Sequence, residues 1–558
     1  MLLTGALAST AVAGASVGSR PALAGSPTNS AIPIFEPRHF GAAGDGKALD
    51  SPAINAAIDA CTKAGGRLVY LRPGTYRSGT IILKSNVVLY LEAGAVLLGS
   101  ANLSDYGDVG HAIDLSGHSP KHLIYAEDAE NITLAGPGRI DGQGPAFWEP
   151  SQEGNLYARD PWGAAVSLEL QPKRSGRPTP MIQFIRCRWL RIEDLRIENS
   201  PGWTLNTVNC DNVHIQNISI KNPITGRNTD GIDLDGCQNV FIANCSIETG
   251  DDAIVLKSED PTRQGPRLAR NIVVTNCVLS TCCNGFKIGS GSQGGFENIT
   301  FSNSVIYSEP RDYKYRVVSG IALEVVDGGW IDDITVTGIR MQRARNPLFI
   351  RLGDRSSPHK TAQRGLRGVT IENVHASESI IPSSITGIPG SLVSDVTLSN
   401  IHIENALPSR PEWLNRTVPD VANQYPESIM FGMLPCSGLY VRHVRDLSLR
   451  DLSFRTAKGE ARPTMILDKV SSVRISGLKS DAVAGNLPVL QLANVADTWV
   501  SDSAAPPDTD QYMIVSGPES KGILVSGCDL RHARKGIEVG SEVPSKAVVE
   551  NGNVSPVT

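Results

Sequence analysis

Aromatic residues make up only 5% of this 558-residue chain. Beyond the first 25 residues no apolar run is long enough to cross a bilayer as a helix, so no membrane insertion is expected. Positive charge is not in excess either: 52 Lys and Arg face 57 Asp and Glu, a net charge of -5. No basic stripe stands out, which argues against nucleic acid as a partner. The ten Cys lack zinc-ligand spacing, and Cys282 and Cys283 are adjacent. They read as small buried hydrophobes, and neither a metal nor another cofactor is expected, although export would permit some disulfides. Helical periodicity is scarce, whereas 54 Gly and 35 Pro suit many short strands and turns.

The opening "MLLTGALASTAVAGASVGSRPALAG" is apolar and small, and "ALA" before Gly25 fits a cleavage site after Ala24. It reads as an export signal over residues 1–24, truncated at its start because no basic segment precedes the apolar stretch. Residues 25–558 are then expected to form one secreted or periplasmic domain and to act as a monomer.

Internal repetition dominates that domain. "VHIQN" from Val213, "VFIAN" from Val240, "IVVTN" from Ile272 and "ITFSN" from Ile299 share one pattern, as do "VTIEN" from Val369 and "VTLSN" from Val396. Weaker copies start at Leu190, Ile334, Leu447, Val473 and Ile523. Each is a strand of alternating apolar residues ending in Asn, Asp or Gly, which suit a bend. Starts at 213 and 240, 272 and 299, and 369 and 396 are each 27 residues apart. A fixed period without intervening helices indicates a solenoid of stacked strands, an all-β right-handed parallel β-helix. Asn217, Asn244, Asn276, Asn303, Asn373 and Asn400 are expected to stack as a ladder inside it. One helix stands at the start. In "DSPAINAAIDACTKAGG", Ser51 reads as N-cap, Pro52 as the first helical residue and Gly65-Gly66 as the stop, a cap for the open end of the solenoid.

Stacked coils place corresponding residues about 4.8 Å apart, so five strands can be aligned: "PGWTLN" from Pro201, "DGIDLD" from Asp230, "DAIVLK" from Asp252, "NGFKIG" from Asn284 and "SGIALE" from Ser319. Their third and fifth positions are apolar throughout and should face in. The second is always small (Gly202, Gly231, Ala253, Gly285, Gly320), a floor on which a flat ligand could lie. The remaining positions, which include Asn206, Asp233, Lys257, Lys287 and Glu324, should face out. Asp230, Asp251, Asp252 and Asp233 then converge on one exposed face. An Asp-Asp pair is more often a polar turn, but carboxylates grouped beside a groove are what glycoside hydrolysis needs: a protonated acid for the leaving oxygen and a base for water. Crowding raises some of their pKa values and keeps a proton available. For Asp233 a merely orienting role, or a pairing with Lys257, is also open.

These residues resemble glycoside hydrolase family 28, the polygalacturonase and rhamnogalacturonase family. The resemblance is carried by "NTDGID" at 228–233, "GDD" at 250–252, "GRIDGQGPAFW" at 138–148, "SPGWTLN" at 200–206 and "FGAAGDGKALDSPAINAAIDA" at 40–60. It implies that Asp251 is the general acid, that Asp230 and Asp252 hold and deprotonate water, that the anomeric centre is inverted, and that Asn228 shapes the site. The substrate it implies is a pectic polysaccharide or oligosaccharide. Two family elements are altered: "CNGFKIGS" has Asn284 where the family has His, and "ALE", Ala322 to Glu324, stands where the family's Arg-Ile-Lys binds a uronate carboxylate. Lys257 and Lys287 in neighbouring coils could receive a displaced carboxylate, or the sugar at Glu324 is neutral, as rhamnose would be. Galacturonan, rhamnogalacturonan and a rhamnosidase-like activity therefore stay open. So do a β-helix lyase, in which the Asp cluster would bind Ca²⁺, and a binding module without catalysis.

Overall fold

In the computed structural model, residues 33–109, 119–151, 170–259, 265–355 and 365–556 are described, with the backbone of 158–159 and 165–166. The segment read as an export signal lies outside them. Forty strands join in one continuous sheet, and every named strand pair within it is parallel. The chain is a right-handed parallel β-helix. The coils around residues 180–281 use three short strands separated by bends, such as Ile232–Asp235, Gln238–Ala243 and Ser246–Thr249, and the next coil repeats them one rung on; later strands, such as Leu439–Thr456, run on through a bend.

The core is a set of apolar columns. Leu205, Ile232, Ile254, Phe286, Ile321 and Leu348 pair in register along the axis, all nearly or wholly buried. Phe286 also stacks on Phe301 at 4.5 Å. Full burial of one such side chain contributes about 1.5–3 kcal/mol. The alignment deduced from sequence holds for the four strands from Asp230 onward. It fails for the first: Leu205 pairs with Ile232, and Asn206 with Asp233, so that strand is shifted by two residues. Trp203 therefore precedes the strand Leu205–Val208 and does not face the core column.

Two further expectations are corrected. The Asn ladder exists, but outside: Asn217, Asn244, Asn276, Asn303, Asn373 and Asn400 are all exposed, each in the left-handed region with φ between 47° and 57°. Asn tolerates that conformation at the bends, and its amides bond along the outer surface, Asn276 Nδ2 donating to Asn244 Oδ1 at 3.3 Å and Asn400 Nδ2 to Asn373 Oδ1 at 2.8 Å. The small second column is not a ligand floor. A Cβ on Gly231 would lie 2.4 Å from the Ala253 carbonyl oxygen and 2.8 Å from Ile247. Glycine there lets one coil pack on the next.

The helix spans Ser51–Lys63 with Asp50, not Ser51, as N-cap residue, and ends at Gly65 and Gly66, both with positive φ. Asp50 serves the preceding loop instead, accepting from the amides of Ala43 and Gly44. Ile54, Ala57, Ile58 and Cys61 bury the helix's apolar face in the common core, closing the N-terminal end. All ten Cys are buried, and none forms a disulfide.

Candidate active site

Successive coils and one long loop build a cleft of about 340 Å³. Its lining includes Asn228, Asp230, Asp251, Asp252 and Lys257 from the sequence-derived set, and also Trp203, Glu259, Arg355, Tyr425 and Glu427. Asp230 precedes the strand Ile232–Asp235, and Asp251 and Asp252 precede Ile254–Ser258, one coil further on. Main-chain bonds fix the offset: Gly231 N donates to Asp252 O at 2.9 Å, and Ala253 N to Asn284 O at 2.9 Å. The "GDD" turn is held from behind, where Thr249 Oγ1 and Thr281 Oγ1 both donate to Asp251 O, at 2.7 and 2.5 Å. Gly250 is obligatory there, because a Cβ would sit 2.1 Å from the Gly226 carbonyl oxygen.

The three carboxyls are buried yet differ in character. Burial pushes Asp230 well above its usual range, and the nearby Asp251 and Asp233 add to it. Asp251 is raised by burial and then by Asp252. Burial also pushes Asp252 upward, but Lys287 and Lys257 outweigh it and bring it below 3.8. Lys287 Nζ lies 3.2 Å from Asp252 Oδ2. Asn284 donates twice to the other oxygen, from Nδ2 at 2.8 Å and from its main-chain N at 3.1 Å. The Asn that replaces the family's His thus has a partner in the site, although not a substrate. Adjacent acids with opposite displacements are what an acid–base pair requires.

Asn206, Asp233, Asn284, Lys287 and Glu324 are not among the cleft-lining residues; they lie buried, at most 1% exposed. This corrects the expectation that they face the groove. Lys287 Nζ also sits 3.8 Å from Glu324 Oε2, so one ammonium serves two acids. Burial pushes Glu324 well above 4.5, with Lys287 opposing. Asp233 pairs with Lys257 at 3.5 Å, and burial raises it against that attraction to about 8. Lys257 does reach the cleft, its Nζ 4.0 Å from the Trp203 ring centroid. Asn228 takes the left-handed conformation, φ 54°, with its Oδ1 3.4 Å from Arg177 Nη2. Burial lowers the Arg177 guanidinium to about 10, opposed by Asp230 and Asp251.

Sequence reasoning missed Arg177, Glu259, Arg355, Tyr425 and Glu427. The last two come from the loop 406–438, between strands Val393–Asn405 and Leu439–Thr456. Its signal was the long gap between the repeats at Val396 and Leu447. Arg351 anchors this loop, donating to the Asp420 and Val421 carbonyls at 2.6 and 3.2 Å. Tyr425 Oη accepts from Lys287 Nζ at 3.4 Å, and Arg355 lies 5.4 Å over the Tyr425 ring. The loop roofs over residues that alternation alone would leave in solvent.

A calcium ion fits this centre poorly. Asp251, Asp252 and Cys283 bring one ligand atom each within 4.8 Å of one another, but Ca²⁺ takes six to eight oxygens. A thiol is the wrong donor, and Lys287 already neutralises Asp252.

Buried carboxyls grouped beside a cleft on a parallel β-helix are the equipment of a glycoside hydrolase. The chain belongs to family 28: the model for "Glycosyl hydrolases family 28" matches residues 107–420, and one for "Rhamnogalacturonase A/epimerase, pectate lyase-like" matches residues 35–104. It is similar to a probable polygalacturonase of Vitis vinifera, 26% identical over 419 residues, covering 72% of this chain and 79% of that one. An exo-poly-alpha-D-galacturonosidase of Dickeya chrysanthemi is 28% identical over 423 residues, 68% of either chain. Among solved structures, an exopolygalacturonase from Thermotoga maritima superposes with a TM-score of 0.55 at 27% identity, covering 67% of this chain and 87% of that one.

Proposed function

We propose that the protein is an inverting hydrolase of pectin-type polysaccharide that works outside the cytoplasm. Asp251 is the general acid, Asp252 the base, and Asp230 holds the attacking water with Asp252. The observation that carries this reading is the split between neighbours: Asp252 is kept ionised by Lys287 and Asn284, while burial keeps Asp251 and Asp230 raised. Asp251 gives its proton to the glycosidic oxygen as that bond breaks. Asp252 takes a proton from the water that attacks the anomeric carbon from the opposite face, which inverts the centre. The polygalacturonases among its relatives favour a galacturonate-containing substrate. With Ala322 and Glu324 in place of the usual basic pair, Lys257 and Arg355 are, among the described residues, the cations lining the cleft and the receivers of a uronate carboxylate.

Rhamnogalacturonan is the second reading, favoured by the match of residues 35–104 to the rhamnogalacturonase model. Purified protein incubated with homogalacturonan, rhamnogalacturonan and aryl rhamnosides separates the readings. On the two polymers, hydrolysis yields new reducing ends without ultraviolet absorbance. Polymer products that absorb would carry the double bond of a lyase reaction and would overturn the assignment.

A further inference from the structure

The family model ends at residue 420, but the cleft does not. Seven residues on, Glu427 lines it with a carboxyl that the three-aspartate mechanism leaves unused. Glu427 Oε2 is buried and has no hydrogen-bond partner among the described residues. Its Oε1 is 4.0 Å from Cys283 Sγ, the thiol that shares a cluster with Asp251 and Asp252. A buried carboxyl oxygen without a partner is unfavourable to keep unless something fills the place.

The backbone brings Glu427 there by construction. Ser428 Oγ donates to the Val318 carbonyl at 3.3 Å, tying the loop to the chain just before the strand Ser319–Val325. On the other side of Glu427, Tyr425 accepts from Lys287. The charged and titratable groups facing Glu427 are Lys287, Asp252, Asp251 and Arg345, together with Glu324, Cys283 and Tyr425. Lys287 is already held at 3.2 Å by Asp252 and at 3.8 Å by Glu324.

We propose that Glu427 is a substrate-recognising residue of this cleft, its unpartnered carboxyl oxygen hydrogen-bonding a hydroxyl of the sugar bound beside Asp251. The inference rests on the hydrolase reading above and adds a specificity determinant from outside the matched family region. Burial, with Lys287 opposing, raises the Glu427 carboxyl to about 7. Below that pH it is protonated, so it can donate to a sugar hydroxyl and does not repel a polyuronate. Above that pH it is ionised and repels the polyanion.

The test uses the full chain with oligogalacturonides and rhamnogalacturonan oligosaccharides as probes. Glu427→Ala should raise KM about tenfold to a hundredfold, the scale of one hydrogen bond to a chargeable group, with a smaller change in kcat. Glu427→Gln should bring KM back towards wild type but abolish the rise of KM with pH through about 7. Calorimetric binding of the same oligosaccharides to Asp251→Asn, with and without Glu427→Ala, reads recognition without turnover. Weaker binding in the double variant supports the inference. Equal binding, or KM unchanged in Glu427→Ala while its melting temperature falls, would show a merely structural Glu427 and overturn it. Full turnover by Asp251→Asn alone would instead overturn the hydrolase reading and leave the binding comparison intact.

Discussion

Replacing Glu324 by Gln should stabilise the protein at neutral pH, by an amount that grows with pH. Glu324 is wholly buried, and neither carboxyl oxygen has a hydrogen-bond partner among the described residues. The cation paired with it, Lys287 at 3.8 Å, is held closer by Asp252 at 3.2 Å. Burial therefore wins, and the carboxyl is raised well above 4.5. In the unfolded chain it ionises near 4.5, so above that pH the unfolded state sheds a proton that the native state keeps. Stability then falls as pH rises, at about 1.4 kcal/mol per pH unit while the native group stays protonated. The accumulated penalty at neutral pH is on the order of a few kcal/mol at most. Gln has the same shape and no proton to hold; it forfeits part of the Lys287 attraction, which leaves a net gain of about 1–3 kcal/mol. Thermal melting of both proteins across the acid to neutral range checks it. The curves should coincide near pH 4 and separate above it by roughly a few degrees at pH 7. A gap that is constant with pH, or a variant that becomes the weaker one as pH rises, would mean that Glu324 is ionised and paired, and the reasoning fails.

Asp251→Asn and Asp252→Asn should each lower turnover on the best substrate by about a hundredfold or more, measured from reducing ends, while the fold persists. The pH profile of kcat/KM should be bell-shaped. Its acid limb lies below 3.8, where Asp252 takes up a proton, and its alkaline limb lies above 3.8, where Asp251 loses one. Lys287→Met should destabilise the protein by about 3–5 kcal/mol, because it strands a buried Asp252 carboxylate; unfolding in urea at neutral pH reads the loss. Arg355→Ala should raise KM for a uronate-containing oligosaccharide more than for a neutral one, as initial rates on the two would show.

Much of this was legible in the sequence, and the failures share physical causes. Register could be read from Asp230 onward because Ile232, Ile254, Phe286 and Ile321 sit at matching offsets in strands with nothing ambiguous before them. It slipped by two at Pro201 because Trp203 is apolar and mimics an inward position, although it belongs to the cleft. The Asn residues were found but placed inside, since a period fixes spacing along the axis and not the side of the sheet. Their left-handed φ shows that the bend, rather than the core, selects them.

The deeper failure concerns what "outward" means. Alternation divides a strand into core-facing and other positions, and the second set was taken for solvent. On this face the loop 406–438 covers it, so that Lys287 and Glu324, outward by pattern, are nearly or wholly buried. That cover changes the chemistry beneath it. In water Lys287 would be a screened surface charge of little consequence. Under the loop it has few partners to choose from, and it is shared between Asp252 and Glu324. Two acids and one base cannot all remain charged in a dry space without penalty. The closer acid, with the two Asn284 bonds, stays ionised, and the farther one is driven towards its neutral form. The substitutions that depart from the family pattern, Asn284 and Glu324, are thus the residues that decide which carboxyl beneath the cleft keeps its charge.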